Sequence, residues 1–274
     1  MIRDITLGQY YPEKSVIHQL DPRVKLVATM LYIISLFVAK GILCYVIATI
    51  FLAAVIYASK VPFKLIFNGL KAIVMLLMIT MTCNLLFIDG DVVLWHFGII
   101  RITDKGLRTA ILMGVRLIYL IIGSSLMTLT TTPNDLTDGM EKLLSPLKVV
   151  RVPVHEVSMM MSIALRFIPI LLEETDKIMK AQIARGADFE SGNIIQRAKA
   201  MIPLLVPLFL SAFRRATDLA MAMEARCYRG GDGRTKMKPL HYEVKDYVAY
   251  VIVWGYLALM IVFGRLLSGT VLPF

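Results

Sequence analysis

Long apolar blocks, almost free of charge, break off for one charged segment, roughly residues 131 to 245, and then resume. Backbone N–H and C=O groups in hydrocarbon must be satisfied within their own segment, so blocks of this length read as spanning helices, not core strands. Composition agrees. Of 274 residues 57% are hydrophobic and 18% charged, and mean hydropathy is +0.69, more apolar surface than a water-soluble core of this size requires.

The expected fold class is therefore all-α: a polytopic membrane protein with about five transmembrane helices and a long charged helical insertion. The spans are roughly Leu26 to Ala39, Ile42 to Ser59, Ala72 to Ile88, Ala110 to Thr131 and Tyr247 to Leu267. The first is the shortest. At about 1.5 Å per residue its charge-free stretch covers about 20 Å of a hydrocarbon core about 30 Å thick, so it must be extended by its flanks, tilted or partly re-entrant. Lys40 then falls in a short turn. Arg116, inside the fourth block, is costly in lipid and is expected to face protein or snorkel, in a structural role. Cys44, Cys83 and Cys227 lack paired spacing and are expected to be small packing residues, neither disulfides nor zinc ligands. The polar or mixed stretch from Met1 does not have the form of a cleavable signal peptide, which leaves the first span to direct insertion.

Charge sets the expected orientation. The net charge of +10 suits a nucleic-acid partner in principle, but in a membrane protein Lys and Arg collect in cytoplasmic loops, and no nucleic acid is expected. The Lys60 to Lys71 connection carries Lys60, Lys64 and Lys71 and no acid, whereas the next holds Asp89 and Asp91 with Trp95 and Phe97. The first is inside and the second outside. Alternation then places the N-terminus and residues 132–245 in the cytoplasm of a cell-membrane protein and the C-terminus outside. The corresponding regions are 1–131 (about four spans), 132–245 (cytoplasmic helices) and 246–274 (the last span).

The charged segment holds 17 of the 30 Lys and Arg residues and 13 of the 20 acids, set among apolar residues at helical spacing, which predicts structure and not a disordered tail. Thr132 as N-cap, Pro133 and Asp135 start a first helix that stops near Ser145-Pro146. A second starts near Pro153 with Glu156 in its first turn and runs to Gly186, bent at Pro169. A third starts at Asn193, with Gln196 completing an Asn-x-x-Gln capping pattern, and runs to Arg226 past Pro203 and Pro207. On the second, Val157, Met160, Met161, Ala164, Leu165 and Ile168 recur at three- and four-residue steps and predict one buried stripe. Glu173, Asp176, Lys177 and Lys180, then Arg214, Arg215 and Asp218 on the third, form a charged face.

The two long helices end alike, in Ile183-Ala184-Arg185-Gly186 and Glu224-Ala225-Arg226-Cys227. A cation at a helix C-terminus offsets the negative end of the dipole, and Gly just beyond is a common stop, so either ending alone has a purely local explanation. The repetition suggests more. Arginine offers a planar fork of donors to carboxylates or carbonyls of a partner, and small neighbours let the partner's backbone approach.

With these endings, the stretch Ser15-Val-Ile-His-Gln-Leu-Asp-Pro-Arg-Val-Lys25-Leu and the run Arg214 to Arg229, the chain resembles the transmembrane T component of energy-coupling factor transporters, EcfT. That family carries two short Ala-Arg-Gly motifs at the ends of cytoplasmic coupling helices, matched here by Ala184-Arg185-Gly186 and Ala225-Arg226-Cys227, with Cys227 where the family usually has Gly. The resemblance implies a non-catalytic scaffold, without cofactor, that joins two cytoplasmic ATPase subunits to a small substrate-binding membrane subunit. Such a transporter takes up vitamins or other micronutrients, ATP being bound by the partners. It implies that Arg185 and Arg226 each dock into one ATPase.

The residues offer little to other readings. There is no Gly-Lys pair to build a P-loop, His155-Glu156 lacks the second His of a zinc motif, and His18, His96, His155 and His241 are scattered. Gly230-Gly231-Asp232-Gly233 follows a helix and reads as a flexible turn. A polytopic membrane enzyme needs converging acids, His or Cys, and a self-sufficient carrier needs polar residues along a path through the spans; Arg116, Asn84 and scattered Ser and Thr supply neither. Among the 17 methionines, Met75-Met78-Met81 and Met159-Met160-Met161 cluster, as adaptable core filler or as a surface that repacks around different partners.

Overall fold

The computed structural model describes residues 10–268 apart from Lys40, Ala72, 89–92, 98–99, 188, 190–192, 232–236 and 238. Within 93–102, at 194, 197 and 198, and beyond 265, only the backbone is described. The expectations for Lys40, Asp89, Asp91 and the Asp232-Gly233 part of the glycine-rich turn lie outside the described residues, as do those for the side chains of Trp95 and Phe97.

The helices are α1 (Pro22–Val38), α2 (Ile42–Ser59), α3 (Phe63–Lys71), α4 (Val74–Phe87), α5 (Asp104–Thr130), α6 (Pro133–Leu144), α7 (Val154–Ala184), α8 (Ile194–Ala225) and α9 (Val244–Ser268). A short antiparallel hairpin, β1 (Val93–Phe97) and β2 (Ile100–Thr103), precedes α5, in a stretch expected only as an outer connection. The chain is all-α otherwise. By length and composition α2, α5, α7, α8 and α9 are each able to cross a membrane, and α3 with α4, bent by 59° at their junction, together have the length and apolarity of a broken span or a re-entrant loop. The Lys60 to Lys71 connection thus contains a helix of its own, strongly amphipathic, with Phe63 and Phe67 exposed and Ile66 buried.

The chain divides into two compact units. In the first, Gly8–Gly139 with Leu240–Phe274, α1 packs on α9 and α5, and α2 on α5 and α9. Tyr32, Leu36, Cys44, Ala48, Leu52, Leu126 and Met260 form its core. Phe51 stacks on Tyr256 with ring centroids 4.1 Å apart, and the Ser35 and Tyr256 hydroxyls meet at 3.0 Å. Helix α1 starts four residues before the apolar stretch expected as the first span, yet at 17 residues it is not among the helices long enough to cross: Asp21 caps it by accepting from Arg23 N (2.9 Å), and Pro22 takes the first helical position.

The start of α9 is tied to that cap. Asp246, 2% exposed, accepts from Asp21 N and from Glu243 N, both at 2.8 Å. Arg23 clasps the Asp21 carboxylate through Nε (3.0 Å) and Nη2 (2.8 Å) while its guanidinium lies 3.8 Å from the Tyr242 ring centre. Upstream, His18 Nδ1 lies 2.7 Å from Ser15 Oγ and Nε2 lies 3.0 Å from Tyr11 O, a pattern that suits a neutral ring, and burial lowers its pKa. The stretch Ser15 to Leu26, noted above only for its resemblance, is thus a capping and clamping device.

Arg116 takes the structural role expected of it. Its Nε donates to Tyr45 OH (3.0 Å) and Nη2 to Ala39 O (3.5 Å), which satisfies the cation inside the helix group. Cys44 is fully buried, as expected of a packing residue; Cys83 and Cys227 are exposed, contrary to that expectation, because each lies on a surface that the chain leaves uncovered.

Candidate functional site

The second unit contains Met140–Pro239, and α7 and α8 dominate it. Their starts follow from local chemistry. Asn193 and Gln196 form the reciprocal capping box that their spacing predicts, and Glu156 lies in the first turn of α7. Both helices run through their prolines, Pro169 in one and Pro203 and Pro207 in the other.

The pair is antiparallel. Gln182 Nε2 donates to Pro203 O (3.4 Å), and further back on α7 Glu174 takes a hydrogen bond from Ser211 and one from Arg215 Nη2 (3.0 Å), so rising numbers on one helix meet falling numbers on the other. The polar seam is narrow. Leu204 and Ser211 are buried in it, while Val157, Met160 (58% exposed), Met161, Phe209 (64%) and Phe213 face outward. The expected buried stripe on α7 is therefore corrected: Val157, Met160, Met161 and Ala164 are exposed, and Leu165 and Ile168 are half-buried. Periodicity identified an apolar face, but α8 is too narrow to cover it.

The two Ala-Arg endings adopt one geometry. Arg185 and Arg226 are both C-caps with φ −90°, and the next residue is left-handed in each case: Gly186 at φ 89° and Cys227 at φ 56°. Gly186 N donates to Ile183 O (2.9 Å) and Ala187 N to Gln182 O (3.0 Å). Cys227 N donates to Glu224 O (2.8 Å) and Tyr228 N to Met223 O (3.0 Å). Both are complete Schellman motifs, in which the last helical carbonyls are satisfied from within. The glycine of such a motif thus has a backbone cause before any partner is considered. A non-glycine residue there costs about 1–2 kcal/mol.

With their carbonyls satisfied, the endings leave their side chains outward. Ala184, Arg185, Gly186, Ala225, Arg226 and Cys227 are all exposed, and neither guanidinium bonds to a described residue. A Cβ added to Gly186 meets nothing within 4 Å. The structure does not bring the arginines together. Antiparallel packing sets Arg185 near the level of residue 200 of α8 and Arg226 near the level of residue 163 of α7, about 35 Å apart along the helices.

Elsewhere in this unit Glu141 receives Ser158 Oγ (3.0 Å) and contacts His155 Nδ1 (3.0 Å), with Gly231 packed against the His155 ring. Gly231 thus belongs to a close contact and not to a free turn. Among the described residues no group of three His, Cys, Asp or Glu is placed to hold a metal ion.

These features define a class: a polytopic helical membrane protein that carries a separate pair of long antiparallel helices with an exposed arginine at each C-terminus. The family model described as CbiQ, cobalt transport protein, matches residues 13–237. An energy-coupling factor transporter transmembrane protein EcfT of Clostridium kluyveri is 55% identical over 250 residues, 91% of this chain and 93% of its own length. The protein of that name from Thermosediminibacter oceani is 52% identical over 264 residues (96% and 99%), and that from Bacillus subtilis 47% over 246 (90% and 93%). The chain belongs to the EcfT family. It is the transmembrane component of an energy-coupling factor transporter, a non-catalytic, multi-pass membrane subunit that works in a complex with other subunits.

Proposed function

We propose that the chain couples ATP hydrolysis by two cytoplasmic ATPase subunits to a small membrane-embedded substrate-binding subunit, for uptake of vitamins or other micronutrients. One observation carries this reading: two helix endings of the same cap geometry each present an arginine without a partner among the described residues, and antiparallel packing of α7 on α8 sets them well apart along the pair, so that they address two surfaces. Arg185, with Ala184 and Gly186, docks into one ATPase, and Arg226, with Ala225 and Cys227, into the other. Closure of the ATPases on nucleotide then moves the ends of α7 and α8 together with whatever those helices hold.

The N-terminus and residues 132–245 lie on the cytoplasmic side, in keeping with Lys60, Lys64 and Lys71 on one connection and the 17 cations of the charged segment. Although α7 and α8 are apolar enough to span, Glu173, Lys177, Lys180 and Arg214 are exposed on them, which suits helices lying at a water boundary with the Met160 and Phe209 faces turned to the binding subunit and lipid. No cofactor is assigned to this chain.

Reversing both charges, Arg185→Glu with Arg226→Glu, tests the docking. Each charge-assisted contact is worth about 1.5–3 kcal/mol, so recovery of ATPase subunits with the purified chain falls at least about tenfold, and uptake fails. Unchanged recovery together with unchanged uptake sinks the proposal.

A further inference from the structure

The membrane unit holds a half-open apolar cavity of about 370 Å³ between α1, α2, α5 and α9. For comparison, an apolar cavity of roughly 150 Å³ takes up a benzene-sized ligand. Val24, Ala28, Leu52, Val55, Leu126 and Val253 line its inner wall, and Tyr32 and Phe51 lie at its deep end, where they join the aromatic stack with Tyr256. Small residues make the space: Ala54 and Ala58 on α2, Ala249 on α9, and Gly123 on α5, where any side chain collides with the Tyr32 ring. Of the lining residues, Ala54 on α2 and Val248 and Ile252 on α9 are exposed, as are Val16 before α1 and Lys245 at the start of α9, so the cavity opens between α2 and α9, toward lipid, and at its lysine-bearing end.

The charged residues of the wall are both cations. Lys25 is 7% exposed, and its Nζ donates to His18 O (3.0 Å) and Thr130 O (2.9 Å). An ammonium has three donors, so one N–H is left for an acceptor that no described residue supplies. Lys245, with its side chain 49% exposed, lies 3.1 Å from Gln19 Oε1 and 3.3 Å from Glu243 Oε2. Among the described residues no acid lines the cavity. Asp135, Asp21 and Asp246 act on Lys25 from nearby, but Asp135 accepts from Thr132 Oγ1 (2.7 Å), Asp21 is held by Arg23 and Asp246 by two backbone N–H groups, while Glu243 is the carboxylate beside Lys245.

We propose that this cavity binds one acyl chain of an anionic glycerophospholipid, with the phosphate at its lysine-bearing end. Lys25 and Lys245 stand at the starts of α1 and α9 and Thr130 at the end of α5, so the charged end is a single end of the helix group, while the apolar part runs from it toward the middle of the bilayer. A zwitterionic lipid offers the same chain, but its own ammonium competes with the lysines. An apolar side chain from another subunit offers no anion for Lys25. The bound chain fills the packing that small residues leave open between α2 and α9.

The test uses the full chain in its purified complex, exposed to phosphatidylglycerol or phosphatidylethanolamine bearing a diazirine in one acyl chain. Light-driven labelling is expected at Ala54, Val248 and Ile252, with phosphatidylglycerol preferred. Ala54→Phe, at an exposed position that fills the opening, abolishes labelling at the two α9 sites without loss of the assembled complex. Lys245→Gln reduces the preference for phosphatidylglycerol about fivefold, the effect of one lysine near an anionic surface. Undiminished labelling in Ala54→Phe, equal labelling by the two lipids in the unaltered chain, or stronger labelling by diazirine palmitate than by phosphatidylglycerol overturns the proposal.

Discussion

At the scale of single residues, Arg185 and Arg226 are exposed because their neighbours do the capping. Backbone N–H groups of the two residues after each arginine satisfy the last carbonyls, so the guanidinium is not needed at its own helix end. Cys227 shows what that geometry costs. It occupies at φ 56° the place that Gly186 fills at φ 89°, where a Cβ is disfavoured. Cys227→Gly is therefore expected to stabilise the end of α8 by about 1 kcal/mol, read as roughly fivefold slower amide exchange over residues 223–228, with Arg226 still exposed. Sequence reasoning saw the cysteine as a departure that bears on a partner's approach; the left-handed backbone conformation was legible at Gly186 as a helix-stop signal and not at Cys227, whose side chain disfavours it.

Among the elements, helix starts were the most legible. The Thr132-Pro133-Asp135 start holds, with Thr132 Oγ1 accepting from Asp135 N (3.2 Å), and the Asn193-Gln196 box is formed, because capping is local chemistry. Helix α3 was missed because its two lysines, Lys64 and Lys71, were counted with Lys60 as loop charges, although Ile66 between Phe63 and Phe67 already followed an amphipathic pattern. The bond from Asp21 N to Asp246 joins residues 225 positions apart and has no signature in either local stretch. Because Asp246 satisfies two backbone donors at once, Asp246→Ala is expected to cost about 2–3 kcal/mol and to lower the temperature at which the purified chain loses monodispersity, whereas the exposed neighbour variant Lys245→Ala leaves it nearly unchanged.

The stripe on α7 was legible as a face and misread as buried, since spacing says which residues share a side but not what covers it. Met160 and Met161 are exposed and adaptable, so Met→Val changes at 159 to 161 are expected to weaken assembly with some substrate-binding subunits more than with others. Equal loss across all of them, or none, in side-by-side co-purification contradicts that role.

For the whole molecule, the spans gave the fold class and the matching endings gave the family, but the sequence left the relation of the two ends open. Antiparallel packing of α7 on α8 supplies it: the arginines are set apart along the pair, as two separate docks in the proposed function require. A photo-reactive residue in place of Ala181 and another in place of Ala222, both exposed and each four residues before its arginine on the same helix face, test this directly in the assembled transporter. Two docks predict a cross-linked product of one chain with two ATPase subunits, reduced to one when either position is left unmodified; a doubly modified chain that never captures more than one ATPase subunit contradicts them.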